Sequence, residues 1–263
     1  MVFQDLFSGH AACYARSRPR YPAQLFAYLA ELCGERRLAW DCATGNGQAA
    51  VGLAEYFDRV IATDASEAQL AHAMRHERIE YRAMHADASP EDCGGLTPGS
   101  VDLVTVAQAL HWLPLEAFYS NVRRVLRPGG VIAAWCYTLP RVSEQIDAVC
   151  DRFYHDVVGS YWEAGRRYID EQYEKIAFPF EEIRPTPRFA CRAEWTLAEY
   201  LDYLASWSAV QLYRKDRGTD PVEEITKEWK TTWNDSADSR EDSELRRVVT
   251  WPVHLRLGYC SLS

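Results

Sequence analysis

One short segment limits what this chain can fold into: Trp40-Asp41-Cys42-Ala43-Thr44-Gly45-Asn46-Gly47-Gln48. The apolar run LAWDCA (38–43) leads into it and AAVGLAEYF (49–57) leads out. A buried strand that turns through glycines into a helix opens a βαβ unit. Glycine at such a turn lets the main chain approach a ligand without Cβ interference. Beyond Gly47, Asp64 closes a second apolar run, VIATD (60–64). A carboxylate there can accept hydrogen bonds from both hydroxyls of a ribose.

The same rhythm continues along the chain. SEAQLAHAMRH (66–76) predicts a helix opened by Ser66, a good N-cap residue. IEYRAMHAD (79–87) and SVDLVTVAQAL (100–110) predict strands, and LEAFYSNVRRVL (115–126) a helix. RPGG (127–130) reads as a turn before a fifth strand, VIAAWCY (131–137). Strands that are apolar along most of their length, alternating with helices, indicate an α/β protein with a buried parallel sheet. AQLFAYLAELC (23–33) puts Leu25, Leu29 and Leu32 on one helical stripe. After residue 140 the pattern is mostly helical. Strands are expected again near RFACRAEW (188–195) and at VVTWPVHLRLGYC (248–260), where Pro252 suggests an irregular or edge position.

Length and composition exclude several classes. At 263 residues one large domain is expected. The net charge of −9, with Lys and Arg scattered, argues against a nucleic-acid partner. No run reaches the ~18–20 apolar residues of a membrane span, and the N-terminus lacks the features of a signal peptide. None of the eight cysteines forms a C-x-x-C pair, which suits reduced thiols of a cytoplasmic protein. His72 and His76 have no third partner at a metal-ligand spacing, so no metal is expected. The unusual number is aromatic: nine Trp, fifteen Tyr and nine Phe. Six of the nine Trp lie beyond residue 140; core filling is the simpler reading, and an aromatic pocket around a flat or cationic ligand the sharper one.

Gly45, Gly47 and Ala50 also satisfy G-x-G-x-x-A, so a dinucleotide fold competes. Three features favour S-adenosylmethionine: Asp41 just ahead of the glycines, Asp87 after the third strand, and a fourth strand running into Ala107-Gln108-Ala109-Leu110-His111-Trp112. Together these residues resemble class I S-adenosylmethionine-dependent methyltransferases. The acidic-x-Gly-x-Gly-x-Gly signature of that family is matched at Asp41, Gly45 and Gly47 and departs at Ala43, where the first glycine is usual. Alanine is expected to be tolerated there at negative φ. The series Tyr14…Arg18-Pro19…Tyr21-Pro22, AQALHW (107–112), LRPGG (126–130), AFPFEEI (177–183), ASWSAVQLY (205–213) and WPVHLRLG (251–258) is similar to the subgroup of trans-aconitate-type and cantharidin-detoxifying enzymes.

The resemblance implies a Rossmann-like, seven-stranded, mostly parallel sheet with an antiparallel last strand. It implies one domain over 1–263: N-terminal lid helices (1–36), a cofactor-binding core (37–139), a helical substrate cover (140–187 and 196–247) and the last strands (188–195 and 248–260). Gly45 and Gly47, with Asp41 and Ala43, would lie against the methionine portion of the cofactor. Asp64, beside Ala65, would bind the ribose, and Asp87 with Ala88 the adenine. Gln108 and Ala109 would line the cofactor below the acceptor. Tyr14 and Arg18 would fold over it.

His111 follows the strand where the acceptor should sit, and an ordinary histidine titrates where a general base is useful. An orienting histidine fits equally well. Trp112, Tyr137, Trp162 and Trp207 are candidate substrate contacts, with Tyr161 and Tyr168 as further roof aromatics. The expected reaction is methyl transfer to a small carboxylate, amine or hydroxyl acceptor by a monomer or homodimer. The alternatives are a cyclase or lyase releasing methylthioadenosine, a nicotinamide-dependent oxidoreductase, and a binding protein without turnover.

Overall fold

The computed structural model describes residues 19–234 and 245–260. Strands β1 (Leu38–Cys42), β2 (Arg59–Asp64), β3 (Ile79–Ala83), β4 (Val101–Ala107) and β5 (Leu126–Tyr137) pair in parallel. The sheet continues through β8 (Arg247–Tyr259), which is antiparallel to β5, to β6 (Glu181–Glu182) and β7 (Phe189–Trp195). The order is β3-β2-β1-β4-β5-β8-β6, with β7 also paired to β8. Because β6 and β7 are antiparallel to β8, only β8 opposes the sheet direction. The expected seven strands become eight since two separate segments, β6 and β7, share the outer side of β8.

The strand order reverses at β1: β2 lies on one side of it and β4 on the other. In open α/β sheets the crevice at such a switch point, outside the carboxyl ends of the strands, is where ligands bind. Alternate residues of each strand feed opposite cores. Ala39 packs with α1 (Ala23–Glu31) and α2 (Gln48–Ala54) on one face, while Trp40 packs with α4 (Leu115–Val125) on the other. Asp102 of β4 ties the base of the crossing, accepting the N–H groups of Arg37 and Leu38 at 2.7 and 2.8 Å and pairing with Arg127 at 2.7 Å.

Several elements differ from their sequence reading. Helix α3 (Glu67–Ala71) does open at Ser66, whose hydroxyl accepts from Gln69 N–H, but it stops well short of residue 76. Main-chain bonding pulls the next segment away: Met74 N–H donates to Asn46 O at 3.1 Å and the Tyr81 hydroxyl to Met74 O at 2.7 Å. RPGG is not a hairpin-like turn but a bulged start to β5, with Val101 opposite Leu126 and Leu103 opposite Val131. Pro252 sits where β8 runs past the end of β5, so its missing N–H interrupts no β5 pairing. Of the expected lid, α1 is a core helix, with Leu25 and Leu29 fully buried.

The second half is built on α5 (Glu144–Arg152), α6 (Arg166–Asp170), α7 (Leu197–Ala205), α8 (Ser208–Arg217), α9 (Pro221–Glu224) and α10 (Thr226–Asn234). The aromatic surplus here is mainly core. Trp229, Trp233 and Trp251 are buried, with the Tyr200 ring 5.4 Å from Trp229 and 5.3 Å from Trp233. Core packing, the simpler of the two sequence readings, accounts for these three rings. Cys33, Cys42, Cys93, Cys136, Cys150, Cys191 and Cys260 are free thiols, all but Cys260 buried. No helix among the described residues is long and apolar enough to cross a membrane.

Candidate functional site

The loop between β1 and α2 lies at the switch point. Gly47, its last residue before the helix, has φ +84°, and a Cβ there would meet the Tyr81 hydroxyl oxygen at 2.1 Å. Only glycine satisfies both conditions. Gly45 has φ +59°, and a Cβ there would meet nothing within 4 Å. Its bare main chain therefore faces open space, which is what a cofactor lying along this loop requires.

Ala43 departs from expectation. It sits at φ +55°, not at negative φ. An L-residue held there costs about 1–2 kcal/mol, so the surroundings must fix it. Thr44 N–H donates to Thr63 O at 2.9 Å, and the Thr44 hydroxyl donates to Asp41 Oδ2 at 2.5 Å. Gly47 N–H returns to Thr44 O at 3.0 Å. Asp41 is thus the brace beneath the loop. It is fully buried, and its other oxygen accepts the Thr105 hydroxyl of β4 at 2.6 Å. Burial pushes its pKa up to about 6, against the pull of those two hydroxyls.

Asp64, at the carboxyl end of β2, accepts Gly45 N–H through Oδ2 and Ser66 N–H through Oδ1, both at 2.8 Å. The two amides fix the carboxylate plane beside the glycine loop, and each carboxylate oxygen can accept more than one donor. Ala65 lies between these contacts, half-buried. Asp87 is exposed in the segment after β3. The backbone on either side of it is pinned by Asn121 of α4, whose amide donates to Ala86 O at 3.0 Å and Ala88 O at 2.9 Å. Tyr14 and Arg18 lie outside the described residues.

At the carboxyl end of β4, Gln108 has φ +58° and its main-chain N–H donates to Trp135 O at 2.9 Å. Its side-chain oxygen accepts Tyr137 N–H at 3.0 Å. Gln108 therefore joins the ends of β4 and β5, and Tyr137 is buried behind it. Ala109, half-buried, leads into the short 3₁₀ turn Leu110–Trp112.

That turn carries His111 and Trp112. His111 Nδ1 is 2.9 Å from the Tyr173 hydroxyl, and its ring lies 4.8 Å from Trp112, which is 46% exposed. Burial, and then the nearby Arg166 charge, push the His111 pKa down to about 3. That keeps the ring neutral at physiological pH and favours the orienting reading over that of a base poised near neutrality. A Cβ added at Gly165 would meet His111 at 3.4 Å and Trp112 at 3.7 Å, so glycine leaves room beside both rings.

Arg166 then connects His111 to the aromatic wall. Its Nε donates to the Tyr154 hydroxyl at 2.8 Å, and its guanidinium lies 4.7 Å over Trp162 and 5.1 Å over Tyr154. The Tyr154 hydroxyl is also 2.8 Å from Asp170 Oδ1. Trp162 is half-buried beside this cation. Trp207 is only 4% exposed and packs on Trp162 at 5.5 Å and Tyr154 at 5.9 Å. It backs the wall from the core side. Tyr161 lies elsewhere, bonded to Asp216.

The structure thus gathers Gly45, Gly47 and Asp64 about the loop after β1, and His111 and Trp112 on the turn after β4, with Trp162 beside Arg166. Thr44, Thr105, Asn121, Arg166 and Tyr173 escape the sequence reading. Most of their partners are distant in sequence, and no local pattern marks them. Among the described residues no three His, Cys, Asp or Glu side chains converge as a metal cage.

Known proteins point to one family. A family profile described as a methyltransferase domain matches residues 40–134. A Dictyostelium discoideum protein named a methyltransferase is 35% identical, covering 89% of this chain and 90% of its own. The Saccharomyces cerevisiae protein CRG1, named an S-adenosylmethionine-dependent methyltransferase, is 28% identical over 80% of this chain and 83% of its own. A solved Anaeromyxobacter dehalogenans structure, named a type II methyltransferase, is 40% identical with a TM-score of 0.84, covering 94% of this chain and 99% of its own.

Proposed function

The chain belongs to the class I S-adenosylmethionine-dependent methyltransferases, and from that premise we propose that it methylates a small-molecule acceptor, a carboxylic acid first among the candidates, as in the trans-aconitate-type and cantharidin-detoxifying subgroup it resembles. The observation that carries this reading is the Arg166 guanidinium, whose charge is felt at His111 on the turn after β4, at the same end of the sheet as Gly45 and Asp64; Asp170 shares that charge at 3.5 Å. A cation and a neutral donor-acceptor ring suit an anionic acceptor.

S-Adenosylmethionine supplies an activated methyl on a sulfonium. The protein's share is position. Gly45 and Gly47 offer bare main chain to the methionine portion, with Asp41 holding their loop from below. Asp64 accepts from the ribose, and the Asp87–Ala88 segment, pinned by Asn121, meets the adenine. Gln108 and Ala109 separate cofactor from acceptor. Trp112 and Trp162 wall the acceptor, with Trp207 behind Trp162 and Tyr137 behind Gln108, and exclude water. Alignment of this kind can supply ~7–11 kcal/mol. A carboxylate acceptor needs no general base, which suits a histidine that stays neutral.

Incubation with methyl-labelled S-adenosylmethionine, first alone and then with carboxylic acids, amines and phenols, tests the reading. S-Adenosylhomocysteine formed in step with a methyl ester is expected. Methylthioadenosine released without an acceptor, or no turnover across the panel, overturns it.

A further inference from the structure

Two consecutive residues, Gln172 and Tyr173, have φ of +56° and +62°. Neither is of a type that adopts this region readily. A strained turn persists only where its surroundings over-determine it, and here the clamp is visible. Arg256 of β8, only 7% exposed, donates Nη1 to the carbonyls of Tyr173 at 2.6 Å, Glu174 at 3.2 Å and Ile176 at 3.2 Å. Its Nη2 pairs with Glu182 at 2.5 Å. On the other side of the turn, Tyr173 N–H donates to Tyr168 O at 2.8 Å.

This clamp delivers the fully buried Tyr173 side chain beneath His111. Its hydroxyl is 2.9 Å from His111 Nδ1. A buried hydroxyl hydrogen needs an acceptor. His111 Nδ1 is in place to be that acceptor. A neutral imidazole that accepts at Nδ1 carries its hydrogen on Nε2. The charged or titratable groups facing His111 are Arg166 and Tyr173, and neither favours a second proton on the ring.

We propose that Tyr173, set by the Arg256 clamp, is a positioning residue that locks His111 as an Nε2–H hydrogen-bond donor toward the acceptor. This rests on the reading that the acceptor binds beyond β4. Its consequence for substrate class is that the acceptor arrives with its reacting oxygen already deprotonated. His111 orients that oxygen and removes no proton from it.

Long-range 1H–15N NMR of histidine-labelled protein without cofactor or acceptor reads the tautomer directly, with the His111 signal assigned by its loss in His111→Gln. The wild type is expected to show a single Nε2–H tautomer that does not titrate across neutral pH. Tyr173→Phe is expected to give a mixture of tautomers and a kcat at least ~10-fold lower, with unchanged affinity for S-adenosylhomocysteine. An Nδ1–H tautomer or a doubly protonated ring in the wild type overturns the assignment. So does a Tyr173→Phe protein whose His111 signal and kcat are both unchanged. If the variant does not fold, the wild-type spectrum alone decides the tautomer. A wrong tautomer with methyl transfer intact defeats this inference only; the expected tautomer without turnover on any acceptor defeats the acceptor reading.

Discussion

Asp41 is an acid whose work is done out of contact with solvent. Unfolded, it ionises near 3.8; folded, near 6. Between those values the folded state keeps a proton that the unfolded chain has lost, so this residue's contribution to stability falls as pH rises through the window. At neutral pH the ionised carboxylate costs about 3 kcal/mol relative to the unfolded reference. Asp41→Asn removes the titration. The melting temperature of this variant relative to wild type is therefore expected to be higher at about pH 8 than at about pH 5. A pH-independent difference in thermal melts contradicts this. Gly47 gives a second test at the same scale. Gly47→Ala combines positive φ, worth about 1–2 kcal/mol, with the approach to Tyr81, and should lower both thermal stability and cofactor affinity measured by calorimetry.

At the level of elements, β1 to β5 were legible because parallel strands buried on both faces read as apolar runs. The loop after β1 was legible because Gly45 and Gly47 do there what other residues do not. What escaped was whatever depends on partners far along the chain. Tyr173 meets His111 across the fold, Thr105 meets Asp41, and Asn121 meets Ala86 and Ala88. Helix α3 was overextended because Ser66 announces a start, whereas the stop is imposed by Asn46 and Tyr81 drawing Met74 away. The cover helices make a prediction of their own. Trp207 is lodged among Phe153, Tyr154, Trp162 and Tyr203. Trp207→Ala should cost about 3–5 kcal/mol by chemical denaturation and raise the KM for acceptor through a loosened Trp162–Arg166 wall. An unchanged midpoint would show that the wall does not depend on it.

Across the whole molecule, the order β3-β2-β1-β4-β5-β8-β6 puts the glycine loop and the turn after β4 at the same end of one sheet. Cofactor and acceptor readings therefore depend on each other through a rigid scaffold. The aromatic richness of the second half is mostly packing: Trp229, Trp233 and Trp251 build a core, while Trp162 stands beside Arg166. Composition could count those rings but not say which way they face. The most direct measurement is calorimetric titration of S-adenosylhomocysteine into wild type and Asp64→Ala, with circular dichroism to confirm that both are folded. Loss of two hydrogen bonds to a charged acceptor, at about 1.5–3 kcal/mol each, predicts a drop in affinity of at least ~100-fold. Equal affinity in a folded Asp64→Ala protein would show that the cofactor does not lie on this loop.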